Sequence, residues 1–197
     1  MLANRLVFRR MFSWVAETGT RLSGGPKRNL DPAVITDSFI FSRTHHAMSH
    51  ASTIAASGGR LVAAWFGGSL ESRPDVGILV SLNDGNGWST PVEAANGKQQ
   101  DGARYACWNP VLFQPASGPL LLFYKVGRSP RTWWGMCTES SDNGQTWSTA
   151  KRLADGILGP IKNKPIQLEN GKLLSPSSTE SDNWRIHIEH STNLDDS

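Results

Sequence analysis

Two carboxylates and an arginine lie close together in the segment W-F-G-G-S-L-E-S-R-P-D. Glu71, Arg73 and Asp75 alternate there with small and turn-forming residues, which predicts a loop. A carboxyl group held in a loop or cleft can donate or accept a proton during a reaction. Glu71 and Asp75 are therefore candidate acid–base residues, and the alternative is a simple loop salt bridge to Arg73.

A second group of residues combines positive charge with aromatic rings. Lys125, Arg128 and Arg131 surround the turn that precedes Trp133 and Trp134. Guanidinium groups bind carboxylates through paired hydrogen bonds, and indole rings offer flat faces to a sugar. The combination suits an acidic sugar, and the alternative is ordinary solvated charge on a loop.

Polar residues also open the strands of two further units. Trp108 and Asn109 begin one predicted strand, and Lys162, Asn163 and Lys164 begin another. Binding residues concentrate at strand ends and in loops. We therefore predict that these five residues contact the substrate.

Short strands that repeat along the chain position these candidates. From His50 onward, β-rich runs alternate with turn signals, and sets of four runs recur about every 50–60 residues. Four short strands in a unit of this size are typical of a β-propeller blade. The sequence predicts an all-β fold, a β-propeller of which about three four-stranded blades are present, and no helical periodicity follows residue 30.

Two of the turns share the pattern Ser-x-Asp/Asn-x-Gly-x-x-Trp, in residues 81–88 and 140–147. The Asp or Asn side chain can bond to the backbone of its own turn, and the glycine supplies a positive φ. A tryptophan at the foot of the turn can pack between sheets. We predict a structural role for all eight residues, namely Ser81, Asn83, Gly85, Trp88, Ser140, Asp142, Gly144 and Trp147.

These turns resemble the Asp-box (BNR) repeats of the sialidase superfamily, whose members are six-bladed β-propellers. Five further stretches resemble a sialidase-like branch, and they cover about 140 residues from His50 to His190. In chain order they are S-H-A-S-T-I, A-A-W-F-G-G-S-L-E-S-R-P-D-V-G-I, W-N-P-V-L-F, Y-K-V-G-R-S-P-R-T-W-W-G-M and L-G-P-I-K-N-K-P-I-Q-L.

The resemblance implies an exo-glycosidase that hydrolyses a terminal acidic sugar from glycans and needs no cofactor. The family's acid/base Asp lies in the loop after the second strand, which favours Asp75, with Glu71 as the second choice. An arginine cluster binds the substrate carboxylate in the family, and Arg73, Arg128 and Arg131 are the candidates here. The family's Tyr nucleophile and its Glu partner belong to later blades, so we expect this chain to lack them.

His50 stands where the resemblance predicts the first arginine of that cluster. Related propellers include polysaccharide lyases that act by β-elimination at a uronic acid. An imidazole exchanges protons near neutral pH, so His50 could serve as the base of such a lyase. A propeller that only binds glycans or proteins is the third alternative.

Charge and composition narrow the range of partners. Residues 1–30 carry six basic residues and one acidic residue, whereas the rest of the chain is slightly acidic. A nucleic-acid-binding body is therefore not predicted. No apolar run approaches the roughly 20 residues of a membrane-spanning helix, and the histidines and cysteines form no metal-binding pattern.

The sequence divides into residues 1–36, a basic N-terminal extension that is disordered or targeting-like, and residues 37–197, an incomplete set of sialidase-like blades. Phe8, Met11 and Phe12 fall on one face of a helix if this segment is helical, which is weakly mitochondrial-like. Arg9 and Arg10 interrupt the apolar run that a secretory signal needs. Without such targeting, a cytoplasmic location is expected.

Overall fold

The computed structural model describes residues 38–43, 46–181 and 183–191. Regular structure in these ranges consists of β-strands. The described residues contain no helix long and apolar enough to cross a membrane. The predicted N-terminal extension, residues 1–36, lies outside the described residues.

The first two sheets are four-stranded antiparallel meanders in chain order. The first contains β1 (Met48–Ser57), β2 (Arg60–Gly68), β3 (Gly77–Asn83) and β4 (Val92–Ala95). The second contains β5 (Ala106–Phe113), β6 (Leu120–Gly127), β7 (Trp134–Ser140) and β8 (Lys151–Arg152). The alternation of β-rich runs and turns in the sequence accounts for this order, because adjacent strands joined by short turns pair antiparallel.

The third sheet has three strands within the described residues, in the order β11-β10-β9. They are β9 (Ile166–Gln167), β10 (Leu173–Thr179) and β11 (Arg185–Ser191). Consecutive antiparallel sheets that stack face to face are the blades of a β-propeller. The predicted all-β class and the predicted propeller of about three blades are confirmed, and the sheets are called the first, second and third blade below.

Apolar side chains fill the boundaries between the blades. Val62 and Phe66 of the first blade pack with Leu122 and Tyr124 of the second. A smaller cluster joins the second blade to the third through Val111, Leu121, Phe123 and Leu173. On the opposite side of the first blade, Ala63, Trp65 and Leu79 are covered by Ile40, Phe41 and Trp88.

The strand registers define equivalent positions in the three blades. Leu61 pairs with Asn83 in the first blade, and Leu120 pairs with Ser140 in the second. In the third blade Leu173 pairs with Ser191. These three leucines therefore occupy the same place in successive blades.

The same registers correct the predicted alignment of the two Asp-box turns. The Ser81 hydroxyl donates to the Ser89 carbonyl at 2.7 Å, and the Thr138 hydroxyl donates to the Ser148 carbonyl at the same distance. Ser81 therefore corresponds to Thr138 and not to Ser140. The first turn is a shortened version of the second, because fewer residues separate the two bonded positions.

Candidate functional site

His50 lies near the beginning of β1, on the face that packs against the second blade. Its imidazole meets the Phe66 ring edge-on with centroids 4.1 Å apart, because the two residues are register partners. Nε2 of His50 lies 3.6 Å from Oε2 of Glu71 in the β2–β3 loop. Nε2 is covered by protein and has no hydrogen-bond partner among the described residues. An imidazole nitrogen beside a carboxylate can exchange a proton with it or with a ligand.

The backbone is irregular directly after His50, and the second blade repeats this irregularity. The β1–β2 register shifts between His50 and Thr53, and Ala51 has a φ of 56°. The β5–β6 register shifts directly after Trp108, where Asn109 has a φ of 40°. Bulges and residues in the left-handed region re-aim side chains and are common beside functional sites. The ligand contact of Asn109 stays a prediction.

Asp75 closes the β2–β3 loop that carries Glu71 and Arg73. Its carboxylate accepts hydrogen bonds from the Ser69 backbone N–H at 2.7 Å and from the Ser69 hydroxyl at 2.9 Å. The bond from the Ser69 N–H is the main cause that lowers the pKa of Asp75 below its ordinary value. Because Asp75 is held in its charged form, it is better suited to act as a base, or to stabilise positive charge, than to act as an acid. Arg73 is exposed and pairs with neither carboxylate in the part of the chain that the structure describes.

Arg104 joins this group, although no sequence pattern selects it. Nη2 of Arg104 lies 3.4 Å from the Asp75 carbonyl and 3.6 Å from the Glu93 carboxylate. Its Nε is buried without a hydrogen-bond partner in the described ranges. Arg104 therefore connects the β2–β3 loop to the segment that leads into β5. The signal that could have identified it is its place in R-Y-A-C-W-N-P, directly before an inner strand.

Trp108 is a packing residue of the boundary between the first and second blades. It has 4% of its surface exposed, and its Nε1–H donates to the Gly127 carbonyl at 2.9 Å. Its ring lies edge-on to Trp133 at 6.0 Å and near Phe66 at 6.2 Å. The structure does not support the predicted substrate contact of Trp108, because its ring has almost no free surface.

The β6–β7 loop presents Arg128 and Arg131 to solvent. Cζ of Arg128 lies 5.6 Å from the centroid of the Tyr105 ring, which also meets Trp134 edge-on at 5.5 Å. This cation–π contact orients the guanidinium while leaving its hydrogen-bond donors available. Both arginines remain candidates for binding an anionic ligand.

Lys125 is a buried residue, although the sequence predicted that it contacts the substrate. It is fully buried, and its ammonium group donates to the Pro160 carbonyl at 3.0 Å. Burial lowers the pKa of Lys125 to about 7, against the opposing effect of nearby Glu189. Because Lys125 faces the third blade and not solvent, the predicted substrate contact is not supported.

The strand-opening residues of the third blade separate into two groups. Lys164 donates from Nζ to the carbonyls of Ile54 and Leu112, both at 2.6 Å, and burial lowers its pKa. Its ammonium group thus joins three blades and uses two of its three N–H donors on backbone carbonyls. Lys162 and Asn163 are exposed, and Lys162 has a φ of 63°. The structure gives no contact between these two residues and His50 or Glu71 among the described residues.

The Asp-box residues form turns at the other end of the strands. In the second turn the Asp142 carboxylate accepts from the Ser140 hydroxyl at 2.8 Å, from the Thr146 N–H at 2.8 Å and from the Thr146 hydroxyl at 2.6 Å. The Ser140 hydroxyl in turn accepts the Gly144 N–H at 2.7 Å, and Gly144 has a φ of 90°. Trp147 packs against the cluster between the first and second blades. This geometry agrees with a structural role for the second turn.

The first turn is simpler. Asn83 accepts the N–H of Gly85 at 2.8 Å, and Gly85 has a φ of 104°. Trp88 packs on the face of the first blade that points away from the second blade. It also lines an open depression of about 260 Å³ with Ile40 and Phe41. The structure describes all the candidate catalytic residues, and none of them lines that depression. We therefore place the candidate functional site at the other end of the strands, where His50, Glu71 and Asp75 lie.

Comparisons with known proteins agree with this architecture. A family model described as BNR repeat-like domain matches residues 59–197. A Hadza microbial sialidase superposes with a TM-score of 0.64 at 16% identity, covering 76% of this chain and 36% of the sialidase. An α-L-arabinofuranosidase from Lactobacillus brevis superposes with a TM-score of 0.57 at 13% identity, covering 76% of this chain and 54% of the enzyme.

A protein of unknown function from Dyadobacter fermentans gives a TM-score of 0.56 at 14% identity, with coverage of 74% of this chain and 51% of the other. The chain therefore spans between about a third and about half of the length of these structures. No curated protein sequence matches the chain. At these identities the superpositions show a shared fold.

Proposed function

Because the chain belongs to the BNR repeat-like domain family, we propose that it forms part of the site of a sialidase-like exo-glycosidase that hydrolyses a terminal acidic sugar from glycans. The observation that carries the proposal is the 3.6 Å approach of His50 Nε2 to Glu71, next to the loop that holds Asp75. Two of the similar structures are named as glycosidases, which supports the broader enzyme class.

Glycoside hydrolysis needs one group that protonates the leaving oxygen and another that acts at the anomeric carbon. Glu71 lies beside the His50 imidazole, which can pass a proton to it, so we propose Glu71 as the proton-transfer group of the two carboxylates. Asp75 is held in its charged form by Ser69, so it is the better base or partner for developing positive charge. Arg73, Arg128 and Arg131 are the groups proposed to bind the sugar carboxylate.

The nucleophile is not assigned to a residue of this chain. Tyr124 is 1% exposed, and burial raises its pKa, so its phenol is a poor nucleophile. Tyr105 packs between Arg128 and Trp134 in the loop region. Neither tyrosine stands beside a glutamate in the part of the chain that the structure describes.

The position of His50, with Nε2 3.6 Å from the Glu71 carboxylate, is the reason to keep one alternative, a lyase that acts by β-elimination at a uronic acid. In that reaction the His50 imidazole would take the proton α to the carboxylate, and the arginines would stabilise the enolate-like intermediate that results. The bond from the neighbouring carbon to the leaving oxygen would then break, and that oxygen would take up the proton from the imidazolium. The third possibility is a module that binds glycans without turnover.

The experiment supplies the complete protein with a fluorogenic sialoside and, separately, with a uronate-containing polysaccharide. Release of the fluorophore reports hydrolysis, and near-ultraviolet absorbance of an unsaturated uronate reports elimination. Glu71→Gln should lower hydrolysis by about 10²–10⁴-fold, as expected for loss of a general acid. Glu169→Gln, an exposed glutamate on the third blade, is the matched control.

Each outcome separates the alternatives. An unsaturated product that is absent with His50→Ala would support the lyase and contradict the hydrolase. Sialic acid binding seen by NMR without turnover would support the module that binds glycans. Unchanged hydrolysis in Glu71→Gln and Asp75→Asn would show that the site is assigned to the wrong residues.

A further inference from the structure

Two arginines and two aromatic rings form a row on the second blade, beginning at the β6–β7 loop. Cζ of Arg128 lies 5.6 Å from the centroid of the Tyr105 ring, and Tyr105 meets Trp134 edge-on at 5.5 Å. The row ends at Arg152, whose Cζ lies 5.1 Å from the centroid of the Trp134 ring. We call these four residues the arginine–aromatic row. Each guanidinium group is held against one ring.

The strands of the second blade place Trp134 and Arg152 side by side. Arg152 of β8 pairs with Met136 of β7, and Trp134 lies two residues before Met136. Residues two apart in a strand point to the same side of the sheet, so the indole ring and the guanidinium group share one face. Since β7 begins directly after the β6–β7 loop and β8 is the edge strand, the row runs outward from the end of the blade that carries the candidate site.

The first blade, all of which the structure describes, has no counterpart of the arginine–aromatic row. The strand registers make Trp134 equivalent to Gly77, and Arg152 equivalent to Glu93. Glycine has no ring that could hold a guanidinium group, and glutamate reverses the charge. Both blades are four-stranded meanders, so the row is not needed to build a blade. The second blade also packs against a blade on each side, so the row belongs to a completed part of the fold.

Both guanidinium groups of the row keep donors for a ligand. Within the described ranges the Arg128 side chain has no hydrogen bond or ion pair. Nη2 of Arg152 lies 3.2 Å from Oδ1 of Asp155, and the two side chains are 58% and 95% exposed. A planar guanidinium group binds a carboxylate through two parallel hydrogen bonds, and stacking on a ring orients it for that contact. The row therefore presents two oriented groups that can bind anions.

We propose that Arg152 binds a second acidic group of the glycan whose terminal acidic sugar is bound by Arg128. The inference rests on the proposed function, which supplies both the acidic glycan and the role of Arg128. Two guanidinium groups held at separate rings match a chain that carries carboxylates on successive sugars, because each group binds one carboxylate. The protein should therefore bind a glycan with several acidic sugars more tightly than a glycan with one.

The test compares the binding of a sialic acid tetramer and of the sialic acid monomer to the complete protein by calorimetry. A tetramer of galacturonic acid, compared with its own monomer, is a second arm that distinguishes sialylated chains from uronate chains. In at least one arm the tetramer should bind about tenfold more tightly than the monomer, as expected for one added charge-assisted contact. Arg152→Gln should remove this gain. Arg60→Gln, at a half-buried arginine at the opposite end of the strands, is the matched control and should keep it.

Two further positions test the role of the neighbours of Arg152. Asp155→Asn should raise the affinity for the tetramer, because it removes a carboxylate that competes with the ligand for the guanidinium group. Trp134→Leu should lower that affinity by removing the ring that orients Arg152, and Trp134→Phe should retain it. Circular dichroism of each variant checks that the sheets are intact, since Trp134 packs against the cluster between the first and second blades.

Three results would overturn the inference. They are equal binding of monomer and tetramer in both arms, unchanged binding of the tetramer by Arg152→Gln, and a glutamate tetramer that binds as tightly as the sugar tetramers. The last result would mean that charge alone is recognised. Turnover of the fluorogenic sialoside is measured separately. A protein that binds the tetramer through Arg152 but hydrolyses no sialoside would contradict the proposed function alone, whereas hydrolysis without tighter binding of the tetramer would contradict this inference alone.

Discussion

The ammonium group of Lys125 donates a hydrogen bond to the backbone carbonyl of Pro160 across 3.0 Å, inside the boundary between the second and third blades. Close by, the Glu189 carboxylate accepts the N–H groups of Leu158 and Gly159 at 2.9 Å and 2.6 Å. His187 Nε2 lies 3.0 Å from the same carboxylate. The connector that leads into the third blade is therefore held from both sides by two buried charged groups, Lys125 and Glu189.

Lys125 should make the stability of the protein rise with pH above neutrality. Burial lowers its folded-state pKa to about 7, whereas the unfolded chain keeps the ordinary value of 10.5. Between these values the unfolded state binds more protons, so the free energy of unfolding increases with pH across that window. Below about pH 7 both states are charged and the contribution is constant.

Lys125→Met should therefore flatten this rise, measured by denaturant unfolding at several pH values. Lys98→Met, at an exposed lysine, is the control and should keep the wild-type slope. A Lys125→Met profile parallel to the wild type would show that the buried ammonium does not titrate in this range.

Asp142 should stabilise the second Asp-box turn only while it is ionised. Its bonds from the Thr146 hydroxyl and N–H, and then from the Ser140 hydroxyl, lower its pKa to about 2. The folded-state value lies below the ordinary 3.8, so the stabilisation is complete above pH 4 and is lost as the pH falls towards 2.

Asp142→Asn should lower the thermal midpoint at neutral pH and should weaken the loss of stability between pH 4 and pH 2. Asp84→Asn, in the first turn, is the control because Asp84 accepts one backbone N–H, from Asn86 at 3.0 Å. Equal effects of the two substitutions would contradict a special role for the Asp142 network.

The glycines of the β1–β2 turn provide a test of contact between the first two blades. Gly58 and Gly59 have φ values of 54° and 79°, so alanine is strained at both positions by about 1–2 kcal/mol. A Cβ at Gly58 would also overlap the side chain of Asn143 in the second Asp-box turn, whereas a Cβ at Gly59 meets open space. Gly58→Ala should therefore destabilise the protein more than Gly59→Ala in chemical denaturation.

When Asn143→Gly is added to Gly58→Ala, the free energy of unfolding should rise by the difference between Gly58→Ala and Gly59→Ala, because the overlap with the Asn143 side chain is removed. Ser57 donates to Asn143 Oδ1 at 3.0 Å, so the single Asn143→Gly variant is needed as a reference for that lost bond. If the two alanine variants were equally stable, the turn and the β1–β2 hairpin would not be in contact.

The sequence predicted the strands well because their signals are local. Alternating runs, turn glycines and the Asp-box tryptophans each report on a few neighbouring residues, and this information determined the blades. Burial of a charged group depends on a distant part of the chain. Lys125 lies in the apolar run L-L-L-F-Y-K-V, which favours a buried strand, but its partner Pro160 is 35 residues away. Arg104 was missed for the same reason, since Asp75 and Glu93 come from other elements.

Lys164 should stabilise the contact between blades and should not bind the substrate. Its ammonium group donates at 2.6 Å to the carbonyls of both Ile54 in β1 and Leu112 in β5. Lys164→Met removes the charged donor shared by these two strands, at a cost of about 2 kcal/mol after allowance for solvent around the side chain. Hydrogen exchange should accelerate in β1 and β5, and the free energy of unfolding should fall by that amount. Lys162→Met, at an exposed neighbour, should change neither quantity. A Lys164→Met variant with wild-type stability and hydrogen exchange, but with weaker binding of sialic acid in an NMR titration, would show instead that Lys164 binds the ligand.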